Sequence, residues 1–339
     1  QMCIRDSYYS KEITFDGQLG KIYNNAQLMG KIDLPTNIPT SFRFIASIST
    51  FDYYKKDKLF SRNDKPSFNS KDERFVKLMV ALPFLANKRA EFSLGYGQLE
   101  DNYFQSSVID FDKDRSDRST YKLLGGSIGF YGSTLNTRQY ATKGYLEKLI
   151  AQVFTGRERF EPGNPQEGYS PSPQERQSWL QISYMKEAYH TMGPKFTLGW
   201  MAEALYSSKN FSENYTATMM QAGEFAPTPH SKLMYNEAFR ANQYVAAGIK
   251  PIYVLNDMFQ FRTEFYGFTP IFPIKKNALN KAYYGKAFSR FEYMGEVSVI
   301  CHLPFGAISA YVNHYSSPRR EWNVGMTIGW QLFNYRFVE

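Results

Sequence analysis

Beyond Arg240 the chain keeps to one pattern, five stretches in which apolar and polar residues alternate with a period of two. Alternation of that period marks β-strands whose two faces meet different surroundings. In the last stretch Val324, Met326, Ile328, Trp330 and Leu332 fall on one face, while Asn323, Gly325, Thr327, Gly329 and Gln331 fall on the other. Upstream the same alternation predicts strands near 25–32, 42–48, 76–82, 90–96, 121–131, 145–155, 179–187 and 196–206. Those beyond Arg240 lie near 245–253, 259–268, 288–300, 308–315 and 322–336, which makes about thirteen in all. Residues 8–15 read as the tail of a further strand.

The connections alternate between short and long. Tight turns fall near 34–39, 86–88, 191–194, 255–257 and 303–305, and long polar loops near 55–73, 110–119, 156–175 and 271–285. The longest runs from about 208 to 239 and ends at Phe239-Arg240-Ala241-Asn242. Short turns on one side and long loops on the other are the habit of outer-membrane barrels, and a soluble sandwich gives no reason for them. The apolar spans also have the length of about nine to eleven residues that a tilted membrane strand requires. The fold expected is therefore all-β, a transmembrane antiparallel β-barrel. Val324, Met326, Ile328, Trp330 and Leu332 are its expected lipid-facing residues. Tyr53, Tyr54, Tyr103, Phe104, Tyr206, Tyr266 and Trp322, near strand ends, are its expected aromatic girdle.

Composition agrees with this without proving it. Aromatic residues make up 17% of the 339 positions, yet mean hydropathy is −0.47. No apolar run approaches the ~18 residues of a membrane helix. A barrel needs none, because only half of its strand residues face lipid. On composition alone a soluble all-β protein stands beside it. The formal charge of +8 comes from 40 basic residues interleaved with 32 acidic ones, which reads as a solvated surface and not as a nucleic-acid partner. Cys3 and Cys301 imply no intrachain disulfide, and His190, His230, His302 and His314 lack metal-ligand spacing, so neither metal nor cofactor is expected.

Residues 1–7, Gln-Met-Cys-Ile-Arg-Asp-Ser, match no strand, cap or signal-peptide pattern and resemble the translation of a transposase-type sequencing adaptor. They are set apart from the barrel, expected over 8–339, and the barrel is expected to be truncated at its N-terminal end. Gly125-Gly126-Ser127-Ile128-Gly129 fits the G-x-S-x-G of serine hydrolases. That elbow needs a strand, a sharp turn and a helix, whereas here the motif lies inside a strand pattern, so no catalytic residue is assigned. The sequons at Asn210 and Asn214 read as inert loop residues in a bacterial setting.

At Phe239-Arg240-Ala241-Asn242, followed by five strands, the chain resembles the C-terminal barrel of the outer-membrane insertase and translocase superfamily. That fold has sixteen strands, and its long sixth loop carries an Arg-Gly-aromatic motif and folds back into the lumen. Ala241 stands where Gly is usual. Counting back makes the first full strand here the fourth. A closer resemblance is to the barrels of Bacteroidetes-type patatin-like phospholipases. It rests on Ser49-Thr50-Phe51-Asp52-Tyr53-Tyr54, Thr134-Leu135-Asn136-Thr137-Arg138-Gln139-Tyr140 and Tyr315-Ser316-Ser317-Pro318. The resemblance implies a barrel in the bacterial outer membrane that anchors or exports an upstream patatin hydrolase domain, with a POTRA-like domain between them. Its implied partners are membrane lipids, those upstream domains and the barrel assembly machinery. Two alternatives stay open, an assembly or translocation barrel and a passive porin-like channel. Within the barrel, Arg240 is expected to meet Glu264, the only carboxylate on the polar face Gln260, Arg262, Glu264, Tyr266. The rival is a solvated Arg240, with Arg262 occupying Glu264.

Overall fold

The computed structural model of the chain describes residues 10–34, 37–53, 69–105, 114–164, 176–303, 306–317, 322–329 and 335–338. Nine strands come first: β1 (Ser10–Gln18), β2 (Tyr23–Leu34), β3 (Thr40–Tyr53), β4 (Asn69–Leu85), β5 (Lys88–Tyr103), β6 (Asp117–Ser133), β7 (Gly144–Glu161), β8 (Arg176–Thr191) and β9 (Phe196–Ser207). The long connection then carries helix α1 (Tyr215–Gln221) and two short strands, β10 (Gly223–Glu224) and β11 (Arg240–Ala241). After it come β12 (Gln243–Val254), β13 (Phe259–Pro270), the small hairpin β14 (Ile274–Lys276) and β15 (Ala282–Tyr284), and finally β16 (Glu292–Leu303), β17 (Gly306–Tyr315) and β18 (Trp322–Ile328).

Among the described residues fourteen strands form one sheet in chain order, β1 to β9, then β12, β13, β16, β17 and β18. Adjacent strands run antiparallel throughout, as in the meander of an outer-membrane barrel. Among the described residues no helix is long and apolar enough to cross a membrane.

The period-two pattern becomes two faces. On β13 the even positions Gln260, Arg262, Glu264 and Tyr266 are buried, while Phe259, Phe261 and Phe265 on the odd positions are 37–53% exposed. Polar inside and apolar outside reverses the order of a soluble protein and suits a wall between lipid and a filled lumen. The inner face is packed. Ile45, Phe75, Leu99, Leu123, Phe154 and Trp179 cluster on the β3 to β8 wall, and Phe225, Phe239, Tyr244, Phe268, Met294 and Tyr315 cluster across the lumen.

Four expectations need correction. The sheet has one strand more than thirteen, because Ser10–Gln18 pairs with β2 along its whole length. The strand expected to start at Phe288 starts at Glu292, since Phe288 adopts a left-handed backbone (φ 51°) that interrupts a strand. The last strand stops at Ile328. Gly329 then turns at φ +98°, and Phe337 lies in the lumen against Phe75 and Phe154. Trp330 and Leu332 lie outside the described residues, as do residues 1–7 and Tyr54. In the expected girdle, Tyr53, Tyr103 and Tyr266 point inward and are buried, whereas Tyr206 and Trp322 are exposed. A tyrosine at a strand end suits either face, so only its parity along the strand decides.

Candidate functional site

The connection between β9 and β12 folds into the lumen and makes its own secondary structure there. Asn214 caps α1, accepting from the Ala217 amide at 2.8 Å and donating through Nδ2 to the Tyr103 hydroxyl at 2.7 Å. A side-chain oxygen that takes up an orphan N–H is what starts so short a helix. Past its end, β10 pairs antiparallel with β11, Gly223 opposite Ala241 and Glu224 opposite Arg240. Phe225 extends the ladder by donating its amide to the Phe239 carbonyl at 2.9 Å.

Arg240 is the knot of this arrangement. Its Nη2 lies 2.8 Å from Glu224 Oε1, and its Nη1 donates to the Met220 and Ala222 carbonyls at 3.2 and 3.4 Å. The guanidinium also stands over the Tyr235 ring, 4.7 Å from its centre. A planar, forked cation thus meets a carboxylate, the carbonyl end of a helix and an aromatic face at once, which an ammonium cannot do. Phe239 and Asn242 fasten the flanks. Phe239 packs on Phe268 and Tyr315, and Asn242 donates to the Lys209 carbonyl and the Tyr284 hydroxyl at 3.3 and 3.0 Å.

Glu264 is not the partner of Arg240. It accepts from Arg262 through Nε and Nη2, both at 2.9 Å, and from the Tyr266 hydroxyl at 2.6 Å. Arg262 lies two residues away on the same strand face, closer than any loop residue, and so takes the carboxylate first. Its Nη1 reaches the Ala141 carbonyl at 2.9 Å. That ties down the 134–143 connection, whose Tyr140 hydroxyl donates to Ser309 at 3.1 Å. The run Thr134 to Tyr140, carried in the sequence as a family resemblance, is thus a turn bound inside the barrel.

Residues that the sequence did not single out complete the site. Lys209 is buried with its ammonium 3.1 Å from Gln221 Oε1 and over the rings of Tyr121 and Trp179 at 4.6 and 4.9 Å. Burial pushes it down to about 8, against the pull of Glu158 and Asp101. His230 pins the loop to the far wall, with Nδ1 donating to Glu296 at 2.8 Å, Nε2 lying 3.2 Å from Ser309 Oγ and its ring stacked on Tyr311. Carboxylate, imidazole and hydroxyl stand in the order of a nucleophilic triad. Ser309, however, is fully buried and shared with Tyr140 and Thr327, which leaves no face for a substrate. Glu224 had one legible signal, because Gly223-Glu224-Phe225 mirrors Phe239-Arg240-Ala241 in the opposite chain direction.

The serine of the G-x-S-x-G run lies within β6 and hydrogen-bonds Ser93 at 2.6 Å. Gly125 beside it is required by packing, since a Cβ there would fall 2.7 Å from the Phe154 ring. Of the expected lipid-facing residues that are described, Val324, Met326 and Ile328 all project from the exposed face of β18.

No protein-family profile matches the sequence, and none of the curated proteins compared with it matches. Solved structures do resemble it. BamA from Haemophilus ducreyi, in a crystal structure lacking POTRA domains 1–3, superposes with a TM-score of 0.59 at 10% identity over 93% of this chain and 63% of that one. CdiB from Acinetobacter baumannii gives a TM-score of 0.45 at 8% identity over 94% of this chain and 65% of that one. This chain therefore spans less than two thirds of the length of either. The fold is that of a bacterial outer-membrane β-barrel.

Proposed function

We propose that the chain is the membrane-embedded part of an outer-membrane assembly or translocation protein whose lumen is held shut by its own loop. The observation that carries this reading is the anchorage of Arg240 to Glu224 and to the end of α1, deep inside the sheet. A passive porin needs a water-filled lumen. Here the 208–242 connection enters from the long-loop side and the 134–143 turn from the other, which speaks against simple diffusion.

The finer reading draws on the sequence resemblance. The barrel, over residues 8–339, anchors or exports an upstream patatin-like lipid hydrolase, with outer-membrane lipid around it and the barrel assembly machinery acting during its insertion. On a sixteen-strand frame, nine strands before the loop and five after it make β1 the third strand.

Recovering the coding sequence upstream of residue 8 and expressing the whole protein tests both levels. A G-x-S-x-G elbow followed by an Asp-Gly pair, with fluorophosphonate labelling that is lost when the elbow serine is replaced, supports the hydrolase. POTRA repeats alone leave the assembly or translocation role, and a signal peptide joined directly to the barrel refutes both. In planar bilayers the wild-type barrel should conduct weakly and the Arg240→Ala variant more. A large, unchanged conductance would refute the plugged lumen.

A further inference from the structure

Basic residues scattered along the sequence are gathered by strand register. Cross-strand pairing aligns Arg74 with Gln98, Gln98 with Lys122, Lys122 with Arg157, and Arg157 with Arg176. All five belong to the outward-facing parity of β4 to β8, and the four cations are exposed. At about 4.8 Å between strands, the row crosses roughly 19 Å of the outer surface. It contains no carboxylate.

Among the described residues, neighbouring acids do not neutralise the row. Glu100 and Glu161, one or two rows nearer the loops, are taken by Arg118 and Arg159, and Asp72 accepts from Thr50. Among the described residues Arg74, Lys122 and Arg157 have no ion-pair partner, and Arg176 spends one N–H on Thr155 Oγ1. Lys122, Arg157 and Arg176 therefore face one another directly on three consecutive strands. Like charges placed so repel, at a cost that a bound anion removes.

The height of the row identifies the anion. On β4 the outward positions from Val76 to Phe84 run apolar down to the short-turn side, about 27 Å along the strand and roughly 20 Å of depth at barrel tilt. The cations thus stand at the upper rim of the apolar belt, beside Tyr96, Leu124, Thr155 and Ser178 in the next row. Near the long-loop ends of β9, β12, β13 and β16 the outward positions Tyr206, Gln243, Thr269 and Tyr293 are uncharged. Long loops mark the outer side of such barrels.

Resting on the outer-membrane reading above, we propose that the β4 to β8 wall is a binding site for a phosphate-bearing lipid of the outer leaflet. Its headgroup phosphate bridges Lys122, Arg157 and Arg176, and its acyl chains lie down the apolar belt beneath them. Guanidinium forks hold phosphate oxygens in pairs, and the Thr155 hydroxyl, which accepts from Arg176 and Ser178, keeps its own proton to donate.

Native mass spectrometry of the detergent-solubilised full chain tests this with phosphatidic acid, diacylglycerol of the same acyl chains, and inorganic phosphate. Wild type should retain phosphatidic acid over both other probes. The Lys122→Gln/Arg157→Gln/Arg176→Gln variant should retain at least about tenfold less, given the attraction that each basic residue near a membrane surface supplies. Lys275→Gln/Lys276→Gln, which removes two exposed cations elsewhere, should behave as wild type. Equal retention by wild type and the triple variant, or equal retention of diacylglycerol, overturns the lipid site. Binding of inorganic phosphate alone at the same level assigns the row to free anions and overturns it too. Heat-modifiability on gels is read in parallel, and its absence in wild type counts against the barrel reading itself.

Discussion

Two buried arginines fasten this barrel from opposite ends, and they recruit their partners differently. Arg240 takes its carboxylate, Glu224, its carbonyls, Met220 and Ala222, and its aromatic face, Tyr235, from within its own connection. Arg262 takes Glu264 from its own strand, and its fork then reaches the Ala141 carbonyl while Tyr140 and Tyr189 flank the cation. The first set ties the loop to itself. The second belongs to the wall and holds a visiting turn. The loop's hold on the wall thus falls to other groups, chiefly His230 on Glu296 and Asn214 on Tyr103.

The sharpest way to break the comparison is to remove each cation. Arg240→Ala leaves the half-buried Glu224 without its cation, and Arg262→Ala leaves the buried Glu264 with only the Tyr266 hydroxyl. Losing one member of a buried pair costs about 3 to 5 kcal/mol. Both variants should unfold at lower urea concentration in detergent micelles, but limited proteolysis should open different segments, 208–242 for Arg240→Ala and 134–143 for Arg262→Ala. Cleavage of the same segment in both variants would erase the distinction between loop and wall.

An arginine placed where no partners are built asks the opposite question. Met326 lies on the exposed face of β18, paired across to Ala310. Met326→Arg should cost about 2 to 4 kcal/mol if that face meets the bilayer near its midplane. Met326→Leu should be neutral. Equal folding yields for the two variants in lipid vesicles would mean that β18 does not face lipid there.

How much of this was legible beforehand differs by region. Strand parity was, because a period of two survives any error in register, and β13 separated Phe259, Phe261 and Phe265 from Gln260, Arg262 and Glu264 as its pattern predicted. The partner of Arg240 was not, because Glu224 sits sixteen residues upstream inside a connection with no strand period. Reading it required the mirrored Gly-Glu-Phe and Phe-Arg-Ala runs to be seen as a ladder. The cationic row was hidden for another reason. Each of its residues is one exposed position on its own strand, and only register across five strands brings them into line.

A smaller effect isolates that ladder. A Cβ on Gly223 would lie 2.0 Å from Leu205 Cδ2 and 3.1 Å from the Ala241 carbonyl, so the room left by having Ala at 241 is provided by Gly223 opposite. Gly223→Ala should cost about 1 to 3 kcal/mol, as overpacking does. Proteolytic exposure should be confined to 208–242, with Arg262's turn still protected. Ala241→Gly should leave the ladder intact, and loss of loop protection in that variant would show that the methyl itself packs the site.

The finest test asks whether the two arginines communicate at all. Because Arg240 and Glu264 share no ligand among the described residues, Arg240→Ala and Glu264→Ala should be additive to within about 0.3 to 0.5 kcal/mol in a double-mutant cycle on urea unfolding. Arg240→Ala with Glu224→Ala, by contrast, removes one pair twice and should be non-additive by about 0.5 to 3 kcal/mol. The two cycles share Arg240→Ala, so any global weakening it causes enters both and cancels from their difference. A coupling between Arg240 and Glu264 as large as that between Arg240 and Glu224 would mean that the loop and the wall form one network. In that case Arg262 would be a bridge to Arg240 and not an independent clamp.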